Sequence, residues 1–311
     1  MKIENVLDTK NSLELYGLDN YLDNLISLFE KKKFPKILLL TGVKGLGKNT
    51  LINHFLSYVF DKENYNIEKK IINSNAKYLN FYKNNLFENI IYLQGDSNNK
   101  IKIEDARNLK SKILKKSSNN LPRFIILDDI ELFNKNSLNA LLKTIEEPSK
   151  NNFFVLINNL QHPILETIKS RSLETKFFLP LDKRLSIINS LIKKNKLKNI
   201  IIDYKNIDIT PGHFILFHFL CEENKINLNK DYLKNINLLI KLFKKTKNRY
   251  YILLINFIIE NFFYTKIKLK NKNINDLIKK RLQASKTIDN FLVYNITQNS
   301  FINSISEVIH D

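Results

Sequence analysis

Residues Gly42 to Thr50 read Gly-Val-Lys-Gly-Leu-Gly-Lys-Asn-Thr. Glycines at this spacing ahead of a lysine suit one task, wrapping a row of phosphates. Backbone N–H groups approach phosphate oxygens closely only where no Cβ intervenes, and the ammonium neutralises their charge. Gly42, Gly45, Gly47 and Lys48 all stand where this phosphate-cradling P-loop needs them. The following position should carry a hydroxyl that ligates magnesium, and it carries Asn49, with Thr50 one place later. The spacing therefore predicts a cradle for ATP or ADP, with magnesium, in which the usual metal ligand is replaced.

A second cluster, Asp128-Asp129-Ile130-Glu131, closes the apolar run Arg123 to Leu127. A carboxylate at a strand's C-terminal end can reach a nucleotide-bound magnesium, and the next acidic residue can polarise an attacking water. P-loop motors usually have Glu in that second place. Asp129 is one methylene shorter, which puts a water held at the Glu distance beyond comfortable hydrogen-bond reach. Asp128 and Asp129 are candidate catalytic residues of a degenerate acidic motif; the competing reading is a solvated turn after a core strand.

These groups need a strand before the loop and a helix after it. Lys36 to Thr41 is a continuous apolar run of the kind buried parallel strands show, entered from Pro35. Leu51, Ile52, Phe55, Leu56 and Val59 then recur at helical spacing, which predicts an amphipathic helix packed on the sheet with its N-terminus facing the ligand. Further strand-like runs at Ile90–Leu93, Phe124–Leu127, Phe153–Ile157 and Leu173–Phe178 alternate with helical patterns, as a parallel sheet with crossover helices requires. From Leu181 onward the pattern is helical throughout, with breaks at Thr210-Pro211-Gly212 and Glu222 to Lys230. The Asn/Lys-rich stretch Asp61 to Asn85 reads as a flexible surface excursion.

The chain has 311 residues, 43% of them hydrophobic, enough for two or three domains and excluding wholesale disorder. Its longest apolar stretch, Tyr250 to Phe263, is interrupted and too short to span a bilayer, so the expected location is the cytoplasm. A single cysteine, Cys221, excludes an internal disulfide and a cysteine-cluster zinc site. A formal net charge of +19 is compatible with a DNA-facing surface, but the lysine clusters do not interleave with aromatics. Asn, Ile, Tyr and Phe share A/T-rich codons with Lys, which makes a merely solvated basic surface an equal reading.

Ser137 to Pro148 carries the specific signal. Its segment Asn-Ala-Leu-Leu-Lys-Thr-Ile-Glu-Glu-Pro closely resembles a signature of bacterial DNA polymerase III clamp-loader subunits, the AAA+ proteins of the gamma/tau and delta-prime type. Glu146 and Glu147 lie at a helix C-terminus, where the dipole disfavours carboxylates, so helix stability does not account for them. Other motifs follow the family in order. Leu15-Tyr16-Gly17-Leu18 resembles its base-contacting segment, Asn158 and Asn159 fall where a polar sensor ends the fourth strand, and Ser170-Arg171-Ser172 resembles its Ser-Arg-Cys motif with serine for cysteine. The resemblance implies that Arg171 is an arginine finger presented to a neighbouring subunit's ATP; for an isolated arginine, pairing with a surface carboxylate would be the first reading. His213, in Thr210-Pro211-Gly212-His213, stands where active members carry a second sensor arginine, and a neutral imidazole is a poor substitute.

Asn49, Asp129 and His213 thus weaken three parts of a hydrolysis apparatus while Arg171 is retained. This pattern is more similar to the delta-prime branch than to the gamma/tau motors. The family's four-cysteine zinc module is also absent, since Asp61 to Asn89 contains no cysteine. The implied architecture is an AAA+ P-loop α/β domain at 1–179, a helical lid at 180–228 and a helical collar at 229–311. The implied assembly is a hetero-oligomer with gamma/tau and delta subunits, acting on a sliding clamp and primed DNA. No polymerase chemistry is expected of the chain, and no residue is expected to bind metal as a dedicated ligand set. An ATP-hydrolysing motor subunit, or another AAA+ replication or repair ATPase, is the alternative.

Overall fold

The computed structural model describes residues 8–95, 103–114, 121–146, 148–228, 231–268, 273–294 and 296–310. The chain forms two compact units, one of Met1–Asn195 with Thr210–His213 and the other of Lys196–Ile209 with Phe214–Asp311.

In the first unit, helix α1 (Asp19–Glu30) precedes strand β1 (Ile37–Thr41), which feeds helix α2 (Lys48–Phe60). A short antiparallel pair, β2 (Tyr65–Asn66) and β3 (Ile71–Ile72), and helix α3 (Lys77–Lys83) follow. Then come β4 (Ile90–Gln94), α4 (Ile103–Leu114), β5 (Arg123–Asp128), α5 (Lys135–Glu146), β6 (Asn152–Asn158), a single turn α6 (Glu166–Lys169), β7 (Leu173–Lys176) and α7 (Leu181–Lys194). The main sheet is wholly parallel in the order β4-β5-β6-β1-β7. Parallel strands need both faces covered, and the side-chain period of two supplies both. Leu38, Leu40, Phe124, Ile126, Val155 and Ile157 pack with α1, α2 and α3, whereas Leu39, Ile125, Leu127, Phe154 and Leu156 pack with α4 and α5. The outcome is the three-layer α/β sheet expected from the alternation, with β6 placing the ends of β1 and β5 two strands apart.

Two expectations need correction. The segment 61–85 is not an excursion. Tyr65, Ile72, Ala76, Tyr78, Leu79 and Tyr82 are buried in the core beneath it, each at 6% exposure or less. Spaced aromatics supplied that core in a stretch whose asparagines and lysines masked it. Helix α2 is also not simply amphipathic, because Asn53, His54 and Ser57 are buried along with its apolar residues. Asn53 donates from Nδ2 to Thr9 Oγ1 (3.0 Å) and accepts from the Tyr82 hydroxyl (2.6 Å). His54 lies between the Tyr65 hydroxyl (3.2 Å) and the Ser12 carbonyl (2.9 Å).

Burial drives the His54 pKa down from 6.5 to about 4. His54 is therefore neutral in the fold, while the unfolded chain takes up a proton below about pH 6.5. The unfolded state then binds more protons, and the fold loses stability as pH drops from 6.5 through 4. The expected loss is about 3 kcal/mol, measurable as a falling urea midpoint across that window. His54→Gln should flatten the slope.

In the second unit, α8 (Pro211–Glu223, whose first turn belongs to the first unit) is followed by α9 (Tyr232–Thr246), α10 (Tyr250–Lys268), α11 (Ile274–Tyr294) and α12 (Gln298–His310). Helices α9 to α12 pack in sequence and α9 also meets α12, so the four close on one another. The apolar runs of α9 and α10 fill that core through Leu239, Ile240, Phe243, Leu254, Ile255, Ile258, Ile259 and Phe263. Among the described residues, no helix is long and apolar enough to cross a membrane.

Candidate functional site

The loop Gly42–Gly47 joins β1 to α2 at the carboxyl end of the sheet. Gly45 and Gly47 both have φ +88°, a region that L side chains avoid. Gly47 is also the N-cap of α2, so the helix N-terminus opens onto the loop. A Cβ on Gly45 would lie 2.2 Å from Thr210 Oγ1. That contact reports what sits on the loop. Thr210 donates to the Lys44 carbonyl (3.0 Å), and the Gly212 N–H donates to the Gly45 carbonyl (2.9 Å). The backbone of 210–213 therefore rests directly on the P-loop.

Lys48 is 3% exposed. Its ammonium folds back onto the loop, donating to the carbonyls of Gly42 and Val43, the latter at 2.9 Å. Burial lowers its pKa to about 8, against the pull of Asp128, Glu131 and Asp129. In this geometry the lysine neutralises the loop's own carbonyl dipoles.

Asn49 turns its amide towards β5 and donates to Asp128 Oδ2 (3.0 Å) and to the Tyr92 hydroxyl (3.0 Å). Tyr92 in turn donates to the same Oδ2 (2.7 Å), while Oδ1 accepts from the Asp129 N–H (2.8 Å). Two donors fill the lone pairs of Oδ2. Burial, then the neighbouring Asp129, raises the Asp128 pKa, and burial raises that of Tyr92. Asn49 Oδ1 is buried without a hydrogen-bond partner among the described residues. Thr50, in the first turn of α2, is half-buried.

Asp129 is 1% exposed and lies in the left-handed region at φ +50°. Lys44 Nζ bridges its two oxygens at 3.0 and 2.9 Å. Asn159 Nδ2 (2.7 Å), Gln161 Nε2 (3.2 Å) and Gln94 Nε2 (3.1 Å) complete a cage around it. The lone pairs of this carboxylate are engaged by an ammonium and three amides. Neither a solvated turn nor an available base describes it. Glu131 is buried beside it, accepting from the Asn159 N–H (2.9 Å), and burial raises its pKa.

Asn158 is 3% exposed at the end of β6. Its side chain accepts from the Leu160 N–H (3.0 Å) and its carbonyl accepts from the Gly42 N–H (3.1 Å), which ties β6 to the loop. His213 lies beside Lys44 and Lys48; burial, then those two charges, lowers its pKa to about 4. It is thus neutral at physiological pH and supplies no cation to the loop.

Arg171 stands apart. It follows α6, with its side chain 46% exposed, and its Nε pairs with Glu146 Oε1 at 3.3 Å. Its guanidinium also donates to the Thr167 carbonyl (3.2 Å). Glu146, which helix stability did not explain, is therefore the arginine's partner; Glu147 lies outside the described residues.

Nearly all the predicted site residues converge at the carboxyl ends of β1, β5 and β6, with Arg171 separate. The residues that the sequence reading did not single out are Lys44, Tyr92, Gln94 and Gln161, together with the role of Asn159 in holding Asp129. Tyr92 and Gln94 carried a usable signal, since residues two apart at a strand end share a face. As a test of fit, the loop backbone matches a phosphate cradle. The metal position does not match magnesium, because Asp128 Oδ2 is saturated and Asn49 points its donors at it.

The chain is 25% identical over 176 residues to DNA polymerase III subunit delta' of Buchnera aphidicola subsp. Acyrthosiphon pisum, covering 56% of this chain and 53% of that one. It is 28% identical over 145 residues to DNA polymerase III subunit gamma of Buchnera aphidicola subsp. Schizaphis graminum, covering 44% and 40%. The chain spans about half the length of the curated relatives it matches. Among solved structures, a DNA polymerase III gamma subunit-related protein from Thermotoga maritima aligns over 93% of this chain and 98% of its own, at 17% identity and a TM-score of 0.46. The family described as DNA polymerase III, delta subunit matches residues 17–179, just over half of the 311 residues, and spans both the phosphate loop and the caged carboxylates. The chain belongs to that family.

Proposed function

We propose that this chain is a delta-prime-like clamp-loader subunit of the replicative DNA polymerase III holoenzyme. It acts as a stator beside gamma/tau and delta subunits while the sliding clamp is placed on primed DNA, and it lends Arg171 to a neighbour's ATP. The observation that carries this reading is the cage around Asp129. The carboxylates that would serve hydrolysis are bound by Lys44, Asn49, Tyr92, Gln94 and Asn159, whereas Arg171 is at the surface. Segment 210–213 lying on the loop supports a retained scaffold rather than a working ATP site. In this reading 180–228 is the lid and 229–311 the collar through which subunits assemble. An apolar stripe on the outer face of α11 supports the collar assignment: Ile274, Ile278 and Leu282 recur every four residues at 51%, 40% and 57% exposure.

Purified alone, the chain should show no ATP turnover stimulated by DNA and clamp. In a reconstituted assembly, Lys48→Ala in this subunit should leave the rate unchanged within about twofold, because hydrolysis takes place elsewhere. A motor reading has one specific point in its favour, the unpartnered Asn49 Oδ1, which would face a cation if the amide turned away from Asp128. A large loss of rate in Lys48→Ala would select that reading and end the stator proposal.

A further inference from the structure

At the amino ends of β1, β5 and β6, the opposite end of the sheet from the P-loop, the first unit carries an open cleft of about 610 Å³. Its floor is aromatic, with Phe29, Phe34, Tyr58 and Phe153, and its rim carries Lys32 and Lys150. The charge on the rim is one-sided. Glu30 also borders the cleft, but Lys62 Nζ pairs with it at 3.0 Å and the Tyr58 hydroxyl donates to it. No carboxylate pairs with Lys32 or Lys150 among the described residues. Both lysines are held in place by backbone. Lys32 adopts φ +56° in the turn that ends α1, with the Lys33 N–H bonded to the Leu28 carbonyl at 2.8 Å. Lys36 anchors the loop bearing Lys150 by donating to that residue's carbonyl.

The aromatic faces decide what such a cleft can hold. A nucleobase needs a free ring face for stacking. Phe34 stacks on Phe55 at 5.0 Å and 6°, and Phe153 is covered by Phe124 at 5.5 Å and by the Lys36 ammonium at 4.3 Å. Lys62 lies over the Tyr58 ring at 4.9 Å. With a face of each of these rings covered, and Phe34 and Tyr58 exposed at only 8% and 4%, little ring surface is left for a base to stack on, and the floor suits an inserted aliphatic or aromatic side chain. We propose that this cleft docks an acidic, extended segment of a partner protein that inserts a large apolar side chain between the lysines. The site is independent of the P-loop and of Arg171.

The probe is a fluorescein-labelled peptide, Glu-Asp-Glu-Leu-Phe-Asp-Glu, titrated with the full chain at low salt and followed by anisotropy. Saturable binding is expected. Exchanging Leu-Phe for Ser-Ser should weaken it about fivefold or more, and the double variant Lys32→Glu, Lys150→Glu about tenfold. Both lysines are exposed, so the variants should keep the wild-type melting temperature. Val59→Trp, which fills the cleft from α2, should block the peptide without reversing any charge, and Lys279→Glu on α11 should change nothing. Absence of saturation, or binding indifferent to the lysine and Ser-Ser changes, overturns the proposal. It is equally overturned if a labelled short oligothymidylate, and not the peptide, binds in a manner abolished by the lysine reversals, since the occupant would then be nucleic acid.

Discussion

Arg171→Ala should abolish most of the ATP hydrolysis at the site of the neighbouring subunit in a reconstituted clamp-loader assembly. A guanidinium supplied in trans to a transferring phosphoryl group is worth about 10³-fold or more in kcat. The steady-state rate of the assembly falls by that site's share, and single-turnover hydrolysis shows the full effect. Glu146→Ala separates this role from a structural one. The Arg171–Glu146 pair is partly exposed on both sides, 46% and 31%, so its contribution to stability is below about 1 kcal/mol. A finger does not need its resting partner, and Glu146→Ala should leave hydrolysis within about twofold of wild type. If Arg171→Ala leaves the rate intact, or if Glu146→Ala produces the same loss, the arginine serves only to pair with a surface carboxylate and the trans role fails.

The second large effect is on stability. Asp129→Ala should cost about 3 kcal/mol, because four donors lose their acceptor, the amide of Asn159 among them inside the fold. Part of the cost is conformational. At φ +50°, aspartate is tolerated better than alanine. Asp129→Asn keeps the shape and that backbone tolerance while removing the charge, so it should lie between wild type and alanine. In thermal melts the alanine variant should drop by roughly 10 °C for a unit of this size. A loss under about 1 kcal/mol would mean that the cage does not hold the fold together. Asp129→Glu restores the residue expected of a motor but has no room in the cage, and it should yield a less stable chain without ATP turnover.

The caging of Asp129 shows where sequence reading stops. Its neighbours in sequence, Asp128 and Ile130, state that an acidic pair ends a buried strand. They do not state that Lys44 and Gln161 arrive from the loops after β1 and β6 and Gln94 from the end of β4. Those contacts depend on the strand order, which sets β5 between β4 and β6. Segment 61–85 failed for the opposite reason. Tyr65, Tyr78 and Tyr82 are spaced widely among asparagines and lysines, so local composition hid a set of aromatics that only packing against α2 brings together.

Local chemistry and the order of the motifs follow from the amino-acid sequence alone. Glycines and a lysine at the right spacing make a loop for phosphates, period-two apolar runs make a sheet covered on both faces, and the motifs follow one another as in the DNA polymerase III family. Whether the charged groups are available depends on how the strands come together. Asp128 and Asp129 are occupied, Lys48 is folded onto its own loop and His213 is neutral, while Arg171 stays at the surface, paired with the partly exposed Glu146. The spacing of a motif is written along the chain, whereas the hydrogen-bond partners that saturate a buried charge come from other strands and cannot be read from its own.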